Sequence, residues 1–237
     1  MKFEQDVIDY LNGTKFSNGL RIKVAEDGSH IHSRLEYLVE LSRGKKIVHM
    51  GFADHIPLIR DKIKSRQWLH GLLMECTEKC VGIDIDAEAV AFVKNELNIK
   101  DVIQLNVVED AVPAEIANGS WDLMIVGEVL EHVDNPVAFL TAIREKYKPY
   151  VKSMVVTVPN AFDLNNIPLI KKNIEWINTD HRFWFTPFTL AKVLTRAGFT
   201  VSEFQFCQTY MPEAFFQKRR LRKHPAMRET LVMTAFF

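Results

Sequence analysis

From Lys46 onward, apolar residues fall in short unbroken runs, separated by stretches in which they recur every three to four positions. Buried runs alternating with helical periodicity are the pattern of a parallel sheet with crossover helices. The runs predict strands at Lys46 to Met50, Lys79 to Ile83, Asp101 to Leu105, Trp121 to Val126 and Met154 to Val158. The intervening periodicity predicts helices over 56–77, 87–97, 135–147 and 187–197. The second of these opens after Asp86, a good N-cap, and aligns Val90, Val93 and Leu97 on one face. The last has Pro187 at its first position and stops at Ala197-Gly198. Two β-like runs, Phe199 to Cys207 and Glu229 to Phe236, close the chain and predict an antiparallel pair at the sheet edge. Ahead of the first strand, Ser33 and Glu36 are spaced as a capping box, and Leu35, Leu38, Val39 and Ser42 follow at helical spacing. Gly44 ends that segment, which reads as a helix covering one side of the sheet.

Composition narrows the class without changing the pattern. The 237 residues are 47% apolar, with 30 basic and 30 acidic side chains, which excludes disorder, collagen and coiled coil. The length suits one large α/β domain: an N-terminal helical addition over 1–44, a core over 45–160, and a segment with edge strands over 161–237. Zero net charge supplies no general field towards nucleic acid or an anionic membrane, so a polyanion site has to be local. The start Met1-Lys2-Phe3-Glu4-Gln5-Asp6 is acidic where a secretory signal is basic, and no stretch approaches 18 uncharged apolar residues. A cytoplasmic protein with no membrane partner is expected. Cys76, Cys80 and Cys207 fit neither a redox pair nor a zinc knuckle and read as buried free thiols.

An open sheet of this kind binds ligands at the carboxyl ends of its strands. After the first strand comes His49-Met50-Gly51-Phe52-Ala53-Asp54, where Gly51 permits a sharp turn and a close approach to a ligand. Neither G-x-G-x-x-G nor G-x-x-x-x-G-K-[ST] occurs, which argues against a dinucleotide or a nucleoside triphosphate. The second strand ends in Gly82-Ile83-Asp84-Ile85-Asp86. An acid at that tip accepts both hydroxyls of a ribose; this role goes to Asp84, and the helix cap to Asp86.

The fourth strand leads into Gly127-Glu128-Val129-Leu130-Glu131-His132-Val133-Asp134-Asn135-Pro136. Here the chain resembles the class I S-adenosylmethionine-dependent methyltransferases, in the group with E-V-L-E-H after strand four. The likeness covers roughly 46–160 and extends to Asp180-His181-Arg182-Phe183-Trp184-Phe185-Thr186-Pro187, similar to the group's D-H-x-R-x-x-T-P. It implies a doubly wound, Rossmann-like sheet of seven mostly parallel strands, with the last antiparallel beside the fifth. It implies S-adenosyl-L-methionine as cofactor, held by Gly51 at the methionine part, Asp84 at the ribose and Ile85 on the adenine, with Phe52 as a further cofactor-binding residue. Asn106 and Val107, or else Glu109-Asp110, would read the adenine, and Gly127 would lie near the amino-acid end. The group's usual D-x-G-x-G-x-G is altered, with His49 for the acid and Ala53 for the second glycine. His49 orients an ammonium only as a neutral acceptor. The interval from Gly51 to Val81 is longer than the resemblance implies, and Trp68, Leu69, Leu72 and Leu73 suggest extra helix by the cofactor entrance.

Methyl transfer from a sulfonium needs chiefly alignment, and a hydroxyl or ammonium acceptor must also lose a proton. The candidate bases are His181 and His132. Glu128 and His132 are spaced i, i+4, but two ligands do not make a metal site, and no metal is expected. His30 and His32 precede the N-terminal helix as a lid or as a solvated loop. Phe183, Trp184 and Phe185 wall an acceptor pocket or belong to the core. Lys218, Arg219, Arg220, Arg222 and Lys223 form the concentrated charge of the chain, either a solvated face or a site for a phosphate on the acceptor. The expected activity is methyl transfer to an oxygen or nitrogen of a small molecule such as a sugar, or a polysaccharide or secondary-metabolite precursor. The rivals are a degenerate fold that binds without turnover and a nucleic-acid methyltransferase, against which the absence of N-P-P-[YF] counts.

Overall fold

The apolar runs assemble into one eight-stranded mixed sheet in the computed structural model, which describes residues 1–26, 28 and 30–237. Its strands are β1 (His32–Ser33), β2 (Lys46–Met50), β3 (Lys79–Asp84), β4 (Val102–Gln104), β5 (Trp121–Gly127), β6 (Val151–Pro159), β7 (Thr200–Gln208) and β8 (Thr230–Phe236). The order across the sheet is β1-β7-β8-β6-β5-β2-β3-β4. Strands β2 to β6 are mutually parallel, and β8 runs antiparallel between β6 and β7. This is the expected seven-stranded arrangement with one addition: β1 pairs parallel with β7, setting His32 opposite Cys207. The last two strands are therefore not an edge pair. Strand β8 is interior, and β1 covers β7.

The helices are α1 (Gln5–Asn12), α2 (Arg34–Ser42), α3 (Ile56–Lys64), α4 (Leu69–Cys76), α5 (Ala87–Asn95), α6 (Ala114–Ala117), α7 (Pro136–Tyr147), α8 (Asn166–Ile170), α9 (Pro187–Arg196) and α10 (Phe215–Lys223). Alternation along β2 decides what each face meets. Val48 and Met50 pack with Leu140 and Ile143 of α7 and Leu190 and Leu194 of α9. Ile47 points the other way, into Leu38 of α2 and Leu69 and Leu73 of α4.

Helix starts follow their caps. Asp86 accepts from the N–H of Ala89 at 3.0 Å, and Thr186 and Thr189 form a reciprocal capping box ahead of Pro187. Three sequence expectations change. The single helix over 56–77 is two, broken where Arg66 takes a φ of 53°, and the break lets Trp68, Leu69 and Leu73 turn into the core rather than line an entrance. Ser33 makes no side-chain cap because it belongs to β1. Helix α10 stands between β7 and β8; its mostly charged run FFQKRRLRK has no apolar stripe to advertise it, and Leu221 is its one buried residue.

The N-terminal segment is sewn to the far edge of the sheet. The Met1 ammonium donates to the carbonyl of Phe204 at 2.6 Å, and Lys192 Nζ donates to the carbonyls of Tyr10 and Leu11. Among the described residues, no helix is long and apolar enough to cross a membrane.

Candidate active site

Every parallel strand presents its carboxyl end on one rim, and the chemistry-bearing residues gather there. Gly51 follows β2 with a φ of +70°, and a Cβ there would lie 2.3 Å from Val129 Cγ2. Glycine is thus required twice, by the left-handed backbone and by the close pass of the 129–132 turn. At the tip of β3 the Asp84 carboxylate accepts from the N–H of Ala53 at 3.0 Å and from that of Asp86 at 3.1 Å. It fastens the loop after β2 to the loop after β3, and burial raises its carboxyl above the usual range. Ile85 beside it is 65% exposed, an apolar side chain standing free at the mouth. After β4, Asn106 Oδ1 accepts from the N–H groups of Val108 and Glu109, while Asp110 accepts from Asn106 N, so these residues shape one turn. Val107 is buried. A Cβ at Gly127 would meet only ordinary contact with Thr157, so the protein itself does not demand glycine there.

Two expected cofactor residues lie deeper than the motif suggests. Phe52 is buried against Gly82, where a Cβ would come within 2.8 Å of its ring. This assigns the glycine of Gly-x-Asp to admitting Phe52 and His70. His49 turns its Nδ1 to His70 Nδ1 at 3.2 Å inside the core, and His70 also lies 3.6 Å from Cys80 Sγ. Burial lowers both imidazoles far below the ordinary histidine value, His70 to about 3, so both are neutral. His49 is thus a member of a buried pair instead of a group facing an ammonium. Cys80 and Cys207 are buried free thiols and Cys76 is half-buried.

Two charged groups face each other on the rim: Arg34, which sequence reasoning passed over, and Glu128, which it weighed only as a metal ligand. Arg34, first residue of α2, is carried to the rim by β1 and sets its guanidinium 3.5 Å from Thr157 Oγ1 and 3.8 Å from Glu128 Oε1. Its Nε is buried and has no partner among the described residues. Glu128 accepts from Thr157 Oγ1 at 2.9 Å and holds a φ of 55°, a left-handed conformation that costs a glutamate about 1 kcal/mol or more. Arg34 had no motif to mark it; its one signal was a lone cation at the start of an otherwise amphipathic segment. Glu128→Gly is expected to raise thermal stability by relieving that backbone, and thermal melts of wild type and variant check it.

On the other side of Gly127, Leu130–His132 is a turn of 3₁₀ helix rather than the start of an α-helix. Arg182 secures it: its N–H donates to the carbonyl of Glu131 at 2.8 Å, its guanidinium donates to the carbonyl of His132, and its Nε lies 2.5 Å from Asp134 Oδ1. That clamp brings His181 edge-to-face onto His132, ring centroids 4.7 Å apart. Burial and the neighbouring His132 lower the His181 imidazole below its ordinary value. Of the three aromatics that follow, Phe185 is core, while Phe183 and Trp184 stay about one-third exposed. His30 and His32 stack edge-to-face on one another, and the basic residues of α10 lie on its solvent side around the buried Leu221.

A cavity of about 730 Å³ opens elsewhere, between Phe16 and Ile22 of the N-terminal segment and Phe162 and Phe188. None of Asp84, Gly127, Glu131 or His181 lines it.

The profile of a methyltransferase domain matches residues 52–203. No curated protein matches the chain by sequence. Among solved structures, the small RNA methyltransferase HEN1 superposes with a TM-score of 0.57 at 16% identity over 92% of this chain, which spans 27% of that chain's length. Magnesium protoporphyrin IX methyltransferase (ChlM) from Synechocystis PCC 6803, with bound SAH, gives 0.54 at 13% identity, covering 85% of this chain and 81% of that one. A SAM-dependent methyltransferase from Aquifex aeolicus gives 0.51 at 15% identity, covering 86% and 89%. At these identities the likeness is one of fold.

Proposed function

The chain belongs to the methyltransferase-domain family, and from that premise we propose that it moves a methyl group from S-adenosylmethionine to an oxygen or nitrogen of a small molecule, such as a sugar or a polysaccharide or secondary-metabolite precursor. The observation that carries this reading is the convergence on one rim of Asp84, the free apolar face of Ile85 and the opposite charges of Arg34 and Glu128. These match, in order, a ribose diol, an adenine and a zwitterionic amino acid. The buried, unpartnered Nε of Arg34 is a donor awaiting a carboxylate, and the space above Gly127 accepts the chain that joins the two ends. In this assignment Arg34 and Glu128 take over the orienting role that His49, locked onto His70, does not fill.

The cofactor supplies an electrophilic methyl on a sulfonium: its C–S bond breaks as the new C–O or C–N bond forms, leaving the thioether S-adenosylhomocysteine. The chain's own work is to align the two partners and to manage the acceptor's proton, for which His132 and His181 stand together with ring centroids 4.7 Å apart. Phe183 and Trp184 wall that side against water.

Calorimetric titration with S-adenosylhomocysteine is expected to show one site at micromolar affinity; no heat and no thermal shift at millimolar ligand defeats the reading. A screen of cell metabolites for transfer of a labelled methyl then identifies the acceptor. RNA is a second reading, favoured by the exposed Phe215 and Phe216 beside the cations of α10. Binding of a single-stranded oligonucleotide that weakens steeply with salt, and is lost when those cations are neutralised, would carry it.

A further inference from the structure

The sequence offered two candidate ligands four residues apart, and the fold adds others. Glu131, His132 and His181 place one donor atom each within 4.8 Å of the other two. Glu131 is the unusual member. Its side chain is 1% exposed, it lies 4.0 Å from His132 Nε2, and among the described residues neither carboxylate oxygen has a hydrogen-bond partner. A buried carboxylate without donors is costly to hold as an anion. Yet the surrounding structure holds Glu131 in place firmly, since the clamp from Arg182 fixes its backbone and that of His132. A precise scaffold around an orphaned acid and two imidazoles calls for a positive charge at their centre.

We propose that Glu131, His132 and His181 form a binding site for a divalent metal ion. One carboxylate oxygen and two imidazole nitrogens are the three-ligand set of open sites for first-row divalent ions, and they disfavour calcium, which takes six to eight oxygens. Ligands about 2.1 Å from an ion stand about 3 to 4.2 Å from one another. The observed 4.8 Å therefore closes by a small rotation of the His132 and His181 rings, both partly exposed. Glu131 forms the buried floor and the histidines the solvent side, which leaves the remaining coordination positions open. The site replaces the expectation of no metal, which counted Glu128 and His132 alone.

The consequence for the acceptor rests on the function proposed above. An ion at these three residues lies close to Glu128; with it bound, His132 and His181 act as its ligands in place of the base, and the ion favours an acceptor that offers it an oxygen, because a bound cation lowers the pKa of a hydroxyl it touches. That selects hydroxyl over amine.

The test needs neither donor nor acceptor. Manganese(II) is titrated into the full chain near pH 7.5, followed by electron paramagnetic resonance and calorimetry, with calcium as the comparison ion. One saturable manganese site is expected, with a rise in melting temperature and at least tenfold weaker calcium binding. Glu131→Gln, which keeps the shape of the side chain, and His181→Ala, on a partly exposed loop, are each expected to weaken manganese at least tenfold. Absence of saturable binding up to millimolar manganese, or binding unchanged in both variants, overturns the site. Titration of S-adenosylhomocysteine into the metal-free protein is read separately, so failure of the cation site and failure of the methyltransferase reading give different results.

Discussion

Asp84→Ala is expected to weaken S-adenosylhomocysteine binding by about 10² to 10⁴-fold. Two charge-assisted hydrogen bonds to a ribose diol are worth about 1.5–3 kcal/mol each, and each 1.4 kcal/mol is tenfold in affinity. The residue has a second duty that the same variant tests. Its carboxylate binds the N–H groups of Ala53 and Asp86, so truncation also frees the loop after β2 on which the cofactor would rest. Asp84→Asn separates the two: the amide keeps one acceptor oxygen for the loop but is a poor partner for both hydroxyls, and an intermediate loss is expected. Unchanged affinity in Asp84→Ala, by calorimetry, removes the ribose assignment.

The second large effect is on stability in acid. His70 is buried and neutral, with its value depressed to about 3, and His49 is depressed in the same direction by burial, His70 and Arg34. The unfolded chain binds a proton at each near pH 6.5. Because the folded values lie lower, the stability from keeping these rings neutral is present above about 6.5 and is lost as pH falls towards the folded values. At pH 5 the loss for His70 is about 2 kcal/mol, from 1.36 kcal/mol per pH unit over the 1.5 units below its unfolded value. Buried carboxyls raised in the fold, Asp84, Asp163, Glu229 and Glu131, act in the opposite sense. The quantity to measure is therefore the difference between wild type and His70→Leu. Denaturant melts at pH 7.5 and pH 5 should show wild type losing about 2 kcal/mol relative to the variant. Parallel pH curves would show that the pair is not buried and neutral as described.

Much of the cofactor half was legible in the chain. The runs at 47–50, 80–83 and 123–126 are buried on both faces, so they are apolar but for His49 and mark central parallel strands. Asp86 and Pro187 marked helix starts because a cap's hydrogen bond and a proline's fixed φ both act between near neighbours. Gly51 and Asp84 were legible for a related reason: a strand tip followed by a turn puts them on the rim wherever the rest of the chain goes. The misreadings have one source. Ser33 looked like a cap and paired with β7 instead; the helix over 56–77 looked continuous and broke to bury Trp68; α10 had no stripe to announce it. Each was decided by a partner more than a turn away.

The same division runs through the site. Local sequence by itself determined the fold class and the strand tips, because periodicity and capping act within a few residues. Only the tertiary structure decided that Arg34 stands 3.8 Å from Glu128, that His49 turns inward to His70, and that His181 joins Glu131 and His132. These pairs are separated by 21 to 94 positions, and whether a charge is paired, neutralised by burial or left wanting a cation depends on which groups the sheet packs against it.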